Sequence, residues 1–331
     1  MEANMKEKRI WLAWERQRRS LELAKAFDAS IFIIDVKSTA FLRYFFSILK
    51  TIKVLYREKP TIVFAQNPSL VLASLVCFLR PIFNYKIVID RHTNFKFEHR
   101  HSKQPKWLVF KCLNKYSLKK ANLTIVTNKY LKILVNKAGG RSVVLPDKLP
   151  MLGKNKMQLK HQTDYSALFV CTYALDEPFR EIFKAASLCP EVTIYVTGDY
   201  KKSLSEDEIN YLPGNVLLLG FVSDECYIEY LNSVDFTIIL TTQEFTLNCG
   251  SYESIVAGKP MLLSNTKTIK TYFNKGCVYS ESFEPIRLAG KINELATDLP
   301  NYSVGIEHSR TKIMNIWPKM FREVLSNVEN L

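Results

Sequence analysis

Residues 232–265, NSVDFTIILTTQEFTLNCGSYESIVAGKPMLLSN, hold the densest set of groups able to do chemistry. A β-branched apolar run, FTIIL at 236–240, leads into a polar loop; a helix then opens at Cys249, Gly250 and Ser251 and ends at Ala257-Gly258, ahead of Lys259-Pro260. The first turn of a helix carries N–H groups without intrahelical partners, at the positive end of the helix dipole. Such a start is a natural cradle for a diphosphate. Glu253 lies one turn further in, where a carboxylate can accept hydrogen bonds from the two hydroxyls of a ribose. Taken alone, the same residues equally suit a solvated glutamate on an ordinary helix with Gly258 as its C-cap.

A second group follows the apolar run KIVID at 86–90, in the motif Asp90-Arg91-His92-Thr93-Asn94. A histidine at the carboxyl end of a buried strand, with a near-neutral ordinary pKa for its residue type, suits hydrogen bonding to a sugar or taking a proton. The alternative is a structural histidine that caps the next helix.

These groups need a scaffold, and the hydrophobic pattern supplies one. Short apolar runs alternate with amphipathic stretches: IWLAW near the start, then SIFIID at 30–35, TIVFA at 61–65, KIVID, LTIVT at 123–127 and SVVLP at 142–146. Such runs fit a parallel sheet covered on both faces. The lysine-bearing segment 151–164 reads as a linker, after which the pattern restarts at 166–172, 192–198, 215–220, 236–240, 259–264 and 276–280. The expectation is an α/β chain of two doubly wound, Rossmann-like domains with ligands at the carboxyl ends of their strands. We place them at 1–155 and 156–315, with a final helix, 316–331, broken at Pro318 and packed back on the first.

Composition bounds the partners. At 331 residues and 47% hydrophobic, the chain is globular and long enough for two cores. Residues 1–160 carry 32 Lys+Arg against 10 Asp+Glu, whereas 161–331 carry 14 against 22. So basic a first half points to an anionic partner: a phospholipid surface, nucleic acid or a phosphorylated substrate. The stretches 41–59 and 106–121 interleave aromatic and aliphatic residues with Lys and Arg, a composition suited to a lipid headgroup layer and also to core helices with basic outer faces. Seven scattered cysteines, with no Cys-x-x-Cys pair, suggest reduced thiols and a cytoplasmic setting. The longest apolar run, 70–79, is too short to span a bilayer, and no secretory signal is visible at the start. Peripheral association with the inner face of the membrane is the expected localisation.

Together with Gly220-Phe221-Val222 and the following SDECYIEYLNSVD, the 232–265 segment resembles the donor-binding domain of the retaining family 4 glycosyltransferases. The resemblance implies the GT-B architecture, in which two Rossmann-like domains face each other across a cleft. It maps the family's donor-side glutamate onto Glu253 and its Ala-x-Gly-x-Pro tail onto Ala257, Gly258 and Pro260. It further implies donor contacts from Asn248, Cys249, Gly250, Ser251, Gly198 and Val222. The family's other glutamate stands eight residues before the first; here that position is Phe245, and Glu244 lies one further back as the candidate. A Lys-Gly pair expected after the domain's first strand is absent. In its place Asp176-Glu177-Pro178 resembles the related β-mannosyltransferases acting on lipid-linked chitobiose, and Arg180 or Lys201 is the expected source of the missing charge. In similar enzymes Asp-x-His-Asn matches Asp90 and His92, and Arg18 and Arg19 stand where a glycine-rich loop is usual.

The implied function is transfer of a sugar from a UDP- or GDP-sugar to a lipid-linked or cell-envelope glycan at an anionic membrane surface. Asp90, His92 and Glu244 are then the catalytic candidates, and no metal or cofactor is expected. Two other readings stay open: a sugar-nucleotide epimerase of the same fold, and a basic protein that binds nucleic acid by phosphate neutralisation, for which no recognition motif is present. A dinucleotide-binding Gly-x-Gly-x-x-Gly is also missing, which excludes an ordinary dehydrogenase.

Overall fold

The computed structural model describes residues 7–67, 69–92, 99, 101–160 and 163–331; Thr93 and Asn94 of the histidine motif lie outside them. The chain divides into two compact units, Met1–Lys148 with Trp317–Leu331 and Leu149–Ile316. This boundary precedes the one placed at 155, because Leu149, Leu152 and Leu159 already pack against apolar clusters of the second unit.

The first unit runs β1 (Arg9–Ala13), α1 (Arg18–Ala26), β2 (Ser30–Ile33), α2 (Ala40–Glu58), β3 (Ile62–Gln66), α3 (Leu70–Phe83), β4 (Lys86–Asp90), α4 (Pro105–Lys120), β5 (Leu123–Val126), α5 (Lys129–Lys137) and β6 (Ser142–Val144). Its strands form a parallel sheet in the order β2-β1-β3-β4-β5-β6. Strands such as IVFAQ are buried along their whole length, as a sheet covered by helices on both faces demands. The order reverses between β1 and β3, which leaves a crevice outside their carboxyl ends.

The second unit continues with β7 (Tyr165–Phe169), α6 (Phe179–Ala186), β8 (Val192–Thr197), α7 (Glu206–Asn210), β9 (Val216–Gly220), α8 (Asp224–Ser233), β10 (Phe236–Ile239), α9 (Cys249–Ala257), β11 (Met261–Ser264), α10 (Lys267–Tyr272), β12 (Cys277–Ser280) and α11 (Pro285–Thr297), and α12 (Leu299–Glu329) starts in it and ends in the first. This sheet is parallel as well, ordered β12-β11-β10-β7-β8-β9, and reverses between β7 and β10.

The expected break at Pro318 does not occur, since α12 continues through it. An interior proline costs about 3 kcal/mol. Packing outweighs that cost: Ile306 and Ile313 are buried in the second unit, whereas Trp317, Val324 and Val328 are buried in the first. The Trp317 indole also donates to the Pro146 carbonyl at 3.0 Å.

Candidate functional site

In the second unit the sheet reversal puts the loop after β10 beside the loop after β7, and the former delivers α9. Among the described residues no side chain caps this helix: Asn248 holds the N-cap position in extended backbone, yet its buried Oδ1 meets no partner among them. Gly250 is buried, and a Cβ there would stand 3.1 Å from Val170 Cγ1 and 3.4 Å from Ile239 Cγ1. Glycine therefore lets the first turn press against the strand ends. Ser251 is buried too, with its N–H on the Asn248 carbonyl at 3.1 Å, whereas Cys249 is exposed. The cradle is thus narrower than the sequence suggests, opening around Cys249. Glu253 is half-buried, and Tyr227 of α8 donates its hydroxyl to Glu253 Oε2 at 2.7 Å, which fixes the carboxylate.

The other donor-side candidates are distributed around the carboxyl end of the sheet. Gly198 has φ +100°, and a Cβ on it would come within 2.4 Å of the Cys171 carbonyl oxygen, so only glycine lets the loops after β7 and β8 approach. Val222 is half-buried between β9 and Ser223, the cap of α8. Arg180 is engaged elsewhere: its guanidinium donates to Glu208 at 2.7 Å and to the Ser203 carbonyl at 2.8 Å, and the Arg180 bond, with that of the Ser205 N–H, holds the Glu208 carboxyl down to about 2. Lys201 is exposed on the 3-10 turn Tyr200–Lys202. Glu244 also differs from the sequence expectation. Its carboxylate accepts the Thr268 N–H at 3.0 Å and so caps the start of α10, a favourable place for an anion.

Where the family resemblance leads one to expect a lysine, the chain supplies its own anion. The Glu177 carboxylate accepts the N–H groups of Thr172 at 2.8 Å and Ala174 at 3.0 Å, and the Thr172 hydroxyl at 3.1 Å. Tyr173 between them takes the left-handed conformation, φ +60°, which turns successive amides inward. Asp176 joins this loop to the one after β10, because Thr241 donates its hydroxyl to Asp176 Oδ2 at 2.5 Å.

In the first unit β4 ends on Asp90, which is fully buried. Arg19, from the first turn of α1, donates to Asp90 through Nε at 3.0 Å and Nη2 at 2.8 Å, and also to Asp147 and the Leu145 carbonyl. Burial pushes the Asp90 carboxyl upward, but Arg19 and then His92 outweigh it and hold it well below the usual carboxylate range. Burial likewise lowers Arg19, and Asp90 and Asp147 more than restore it. Arg19 is therefore locked inside the unit rather than presented to a ligand, while Arg18 is half-exposed, 3.8 Å from Glu22. His92 Nδ1 lies 3.1 Å from Asp90 Oδ2 and Nε2 lies 2.9 Å from Gln17 Oε1; Gln17 in turn donates to Glu15 at 2.5 Å.

Sequence reasoning missed Tyr227, Gln17, Asp147 and the role of Glu177. Asp147 carried a usable signal, as one of ten acids in a stretch of 160 residues. The Tyr227–Glu253 pairing carried none, since it depends on how α8 and α9 pack. Among the described residues no three His, Cys, Asp or Glu side chains converge as a metal site, and no helix is long and apolar enough to cross a membrane. A cavity of about 930 Å³ near Gln158, Thr193 and Asn215 lies at the amino ends of β8 and β9, away from these groups.

The structure thus defines a two-unit α/β protein with a doubly wound parallel sheet in each unit. No protein-family model matches the sequence, and no curated protein matches it. Solved structures do. HepE of Anabaena, crystallised with UDP and glucose, superposes with a TM-score of 0.76 at 14% identity, covering 98% of this chain and 100% of that one. Sucrose-phosphate synthase of Thermosynechococcus elongatus gives 0.72 at 11% identity over 90% and 80%, and a glycosyltransferase of Rickettsia africae gives 0.64 at 13% over 96% and 89%. The chain has the GT-B fold of these glycosyltransferases.

Proposed function

We propose that the chain is a glycosyltransferase that moves a sugar from a UDP- or GDP-sugar to a lipid-linked or cell-envelope glycan at the cytoplasmic face of an anionic membrane. The observation that carries this reading is the uncapped start of α9 one turn before Glu253, at the sheet reversal of a GT-B fold. That fold holds UDP-glucose in HepE. In this reading the α9 amides near Cys249 meet the diphosphate, and Glu253, braced by Tyr227, takes the ribose hydroxyls. Helix-terminus electrostatics stabilise the departing diphosphate, and no metal is required. Asp90 and His92 form the proton-handling pair, with Gln17 turning aside to free His92 Nε2.

The membrane part of the reading rests on α2, where Phe41 is 80% exposed and Leu42, Phe45, Phe46 and Leu49 are also exposed among Arg43, Lys50, Lys53 and Arg57. Thermal-shift measurements with UDP, GDP, CMP and their sugars test the donor assignment. We expect UDP or GDP to raise the melting temperature of the wild type, and Glu253→Ala to remove the shift while melting normally without nucleotide. No response to any nucleotide would sink the proposal and favour nucleic acid as the anionic partner.

A further inference from the structure

The carboxyl ends of β1, β2 and β3 enclose a cavity of about 360 Å³ in the first unit, lined by none of the sequence candidates. It lies at the sheet reversal, the position where open α/β sheets take ligands. Its wall is an aromatic pair held in place. The Trp14 indole N–H donates to Thr51 Oγ1 at 3.0 Å, Thr51 donates to the Ser47 carbonyl at 2.7 Å, and the Tyr44 ring stands 6.1 Å from Trp14. Around it are Glu15, Asp35, Lys37 and Arg43. Among the described residues Asp35, Lys37 and Arg43 form no ion pair, so their charges are available to a ligand.

Aromatic faces pack against the C–H faces of sugar rings, carboxylates accept sugar hydroxyls, and paired Lys and Arg side chains take phosphate. We propose that this cavity binds a sugar phosphate: the ring over Trp14, hydroxyls on Glu15 and Asp35, and the phosphate on Lys37 and Arg43. The inference rests on the sugar-transfer reading and gives its acceptor a chemistry. The phosphate's source is a lipid carrier, because Arg43 and Tyr44, which line the cavity, share the first turns of α2 with the exposed Phe41, Leu42 and Phe45. Glu15 also holds Gln17, which contacts His92, so an occupant of the cavity reaches the Asp90–His92 pair through two side chains, Glu15 and Gln17.

The test uses the full chain labelled with ¹⁵N at tryptophan, with the Trp14 indole signal assigned from Trp14→Phe. The probes are the 1-phosphates of glucose, galactose, mannose and N-acetylglucosamine, and the same sugars on farnesyl phosphate in detergent micelles; UDP and GDP binding are measured in the same samples. We expect at least one sugar to move the Trp14 signal saturably, with the farnesyl form binding about tenfold tighter or more. The double variant Lys37→Ala, Arg43→Ala should weaken binding about tenfold or more, and Asp35→Asn by a smaller factor. No shift from any probe, or equal binding in the Lys37/Arg43 variant, overturns the cavity assignment. Equal affinity for free and farnesyl-linked sugars overturns the lipid source. Nucleotide binding without sugar-phosphate binding removes this inference alone, whereas loss of nucleotide binding removes the reading beneath it.

Discussion

Replacing Arg19 with methionine keeps most of the side-chain volume and deletes the charge that Asp90 depends on. Asp90 is fully buried and takes bonds from two guanidinium nitrogens of Arg19, so the variant strands a carboxylate in the core. Breaking a buried ion pair in this way costs about 3–5 kcal/mol. For a unit of this size each kcal/mol lowers the melting temperature by roughly 2–4 °C, so a fall of about 6–20 °C is expected in the transition of the first unit. The pH dependence carries a sign. In the wild type Asp90 titrates below its ordinary range, so its contribution is present above the unfolded carboxylate pKa and is lost only in strong acid. In Arg19→Met burial dominates and the folded pKa rises above the unfolded value. The deficit is then full at neutral pH and shrinks as the pH falls toward about 4, where the unfolded chain also binds the proton. Calorimetric melts across pH 4–8 measure this. Adding Asp90→Asn to Arg19→Met should recover at least about 1 kcal/mol, since the orphaned charge is gone. A single-variant loss under about 1 kcal/mol, or an additive double variant, would refute the claim that this pair organises the end of β4.

Gly198→Ala forces a Cβ into a left-handed position 2.4 Å from the Cys171 carbonyl oxygen, and should cost about 2 kcal/mol or more, read as a 4–8 °C drop in the second unit's transition; an unchanged melt would contradict the loop contact. Glu244→Gln keeps an acceptor for the Thr268 N–H while removing the charge, so transfer rates should stay within about threefold, and a hundredfold loss in kcat would return Glu244 to the chemical step. Phe41→Ser with Phe45→Ser should weaken sedimentation with anionic phospholipid vesicles by about tenfold or more, and raising the salt from 0.1 to 1 M should weaken the wild type; insensitivity to both would remove α2 from the membrane.

How legible these features were depends on the range of the interaction behind them. Each short apolar run read as a strand forms one, with ends displaced by a few residues, because a strand covered on both faces must be largely apolar, whereas the longer run at 70–79 forms α3. The turn at Cys249-Gly250-Ser251 and the C-cap at Gly258, φ +72°, were readable for the same local reason. Partner choice was not. Arg19 and Asp90 are far apart in the chain, and whether an arginine on the first turn of α1 faces a ligand or a buried carboxylate is decided by where β4 ends. Glu244 is the same case, since its partner Thr268 opens a helix beyond the next strand. Pro318 misled because a local rule met two hydrophobic anchors, Trp317 and Val324, on either side of it.

Glu177 accounts for the missing lysine and narrows where a diphosphate can sit. The amides of Thr172 and Ala174 form a cradle of the kind that binds phosphate, and a carboxylate of the same chain already fills it. A phosphate brought within about 4 Å of that carboxylate would meet a repulsion of roughly 4 kcal/mol at an effective dielectric near 20. That exceeds the 0.3–1 kcal/mol or so that a helix terminus usually offers an exposed anion, so on the proposed reading the Glu177 carboxylate keeps the donor diphosphate out of the β7 loop. The start of α9 has neither obstacle: its first turn contains no acidic residue, and among the described residues no side chain caps it. Residues 149–316 carry 20 acidic against 15 basic residues, so the unit's own net charge does not favour a diphosphate. On the proposed reading its binding comes from oriented amides at short range, and so depends on the geometry of the Asn248–Gly250 turn and on the glycine that lets it press against Val170.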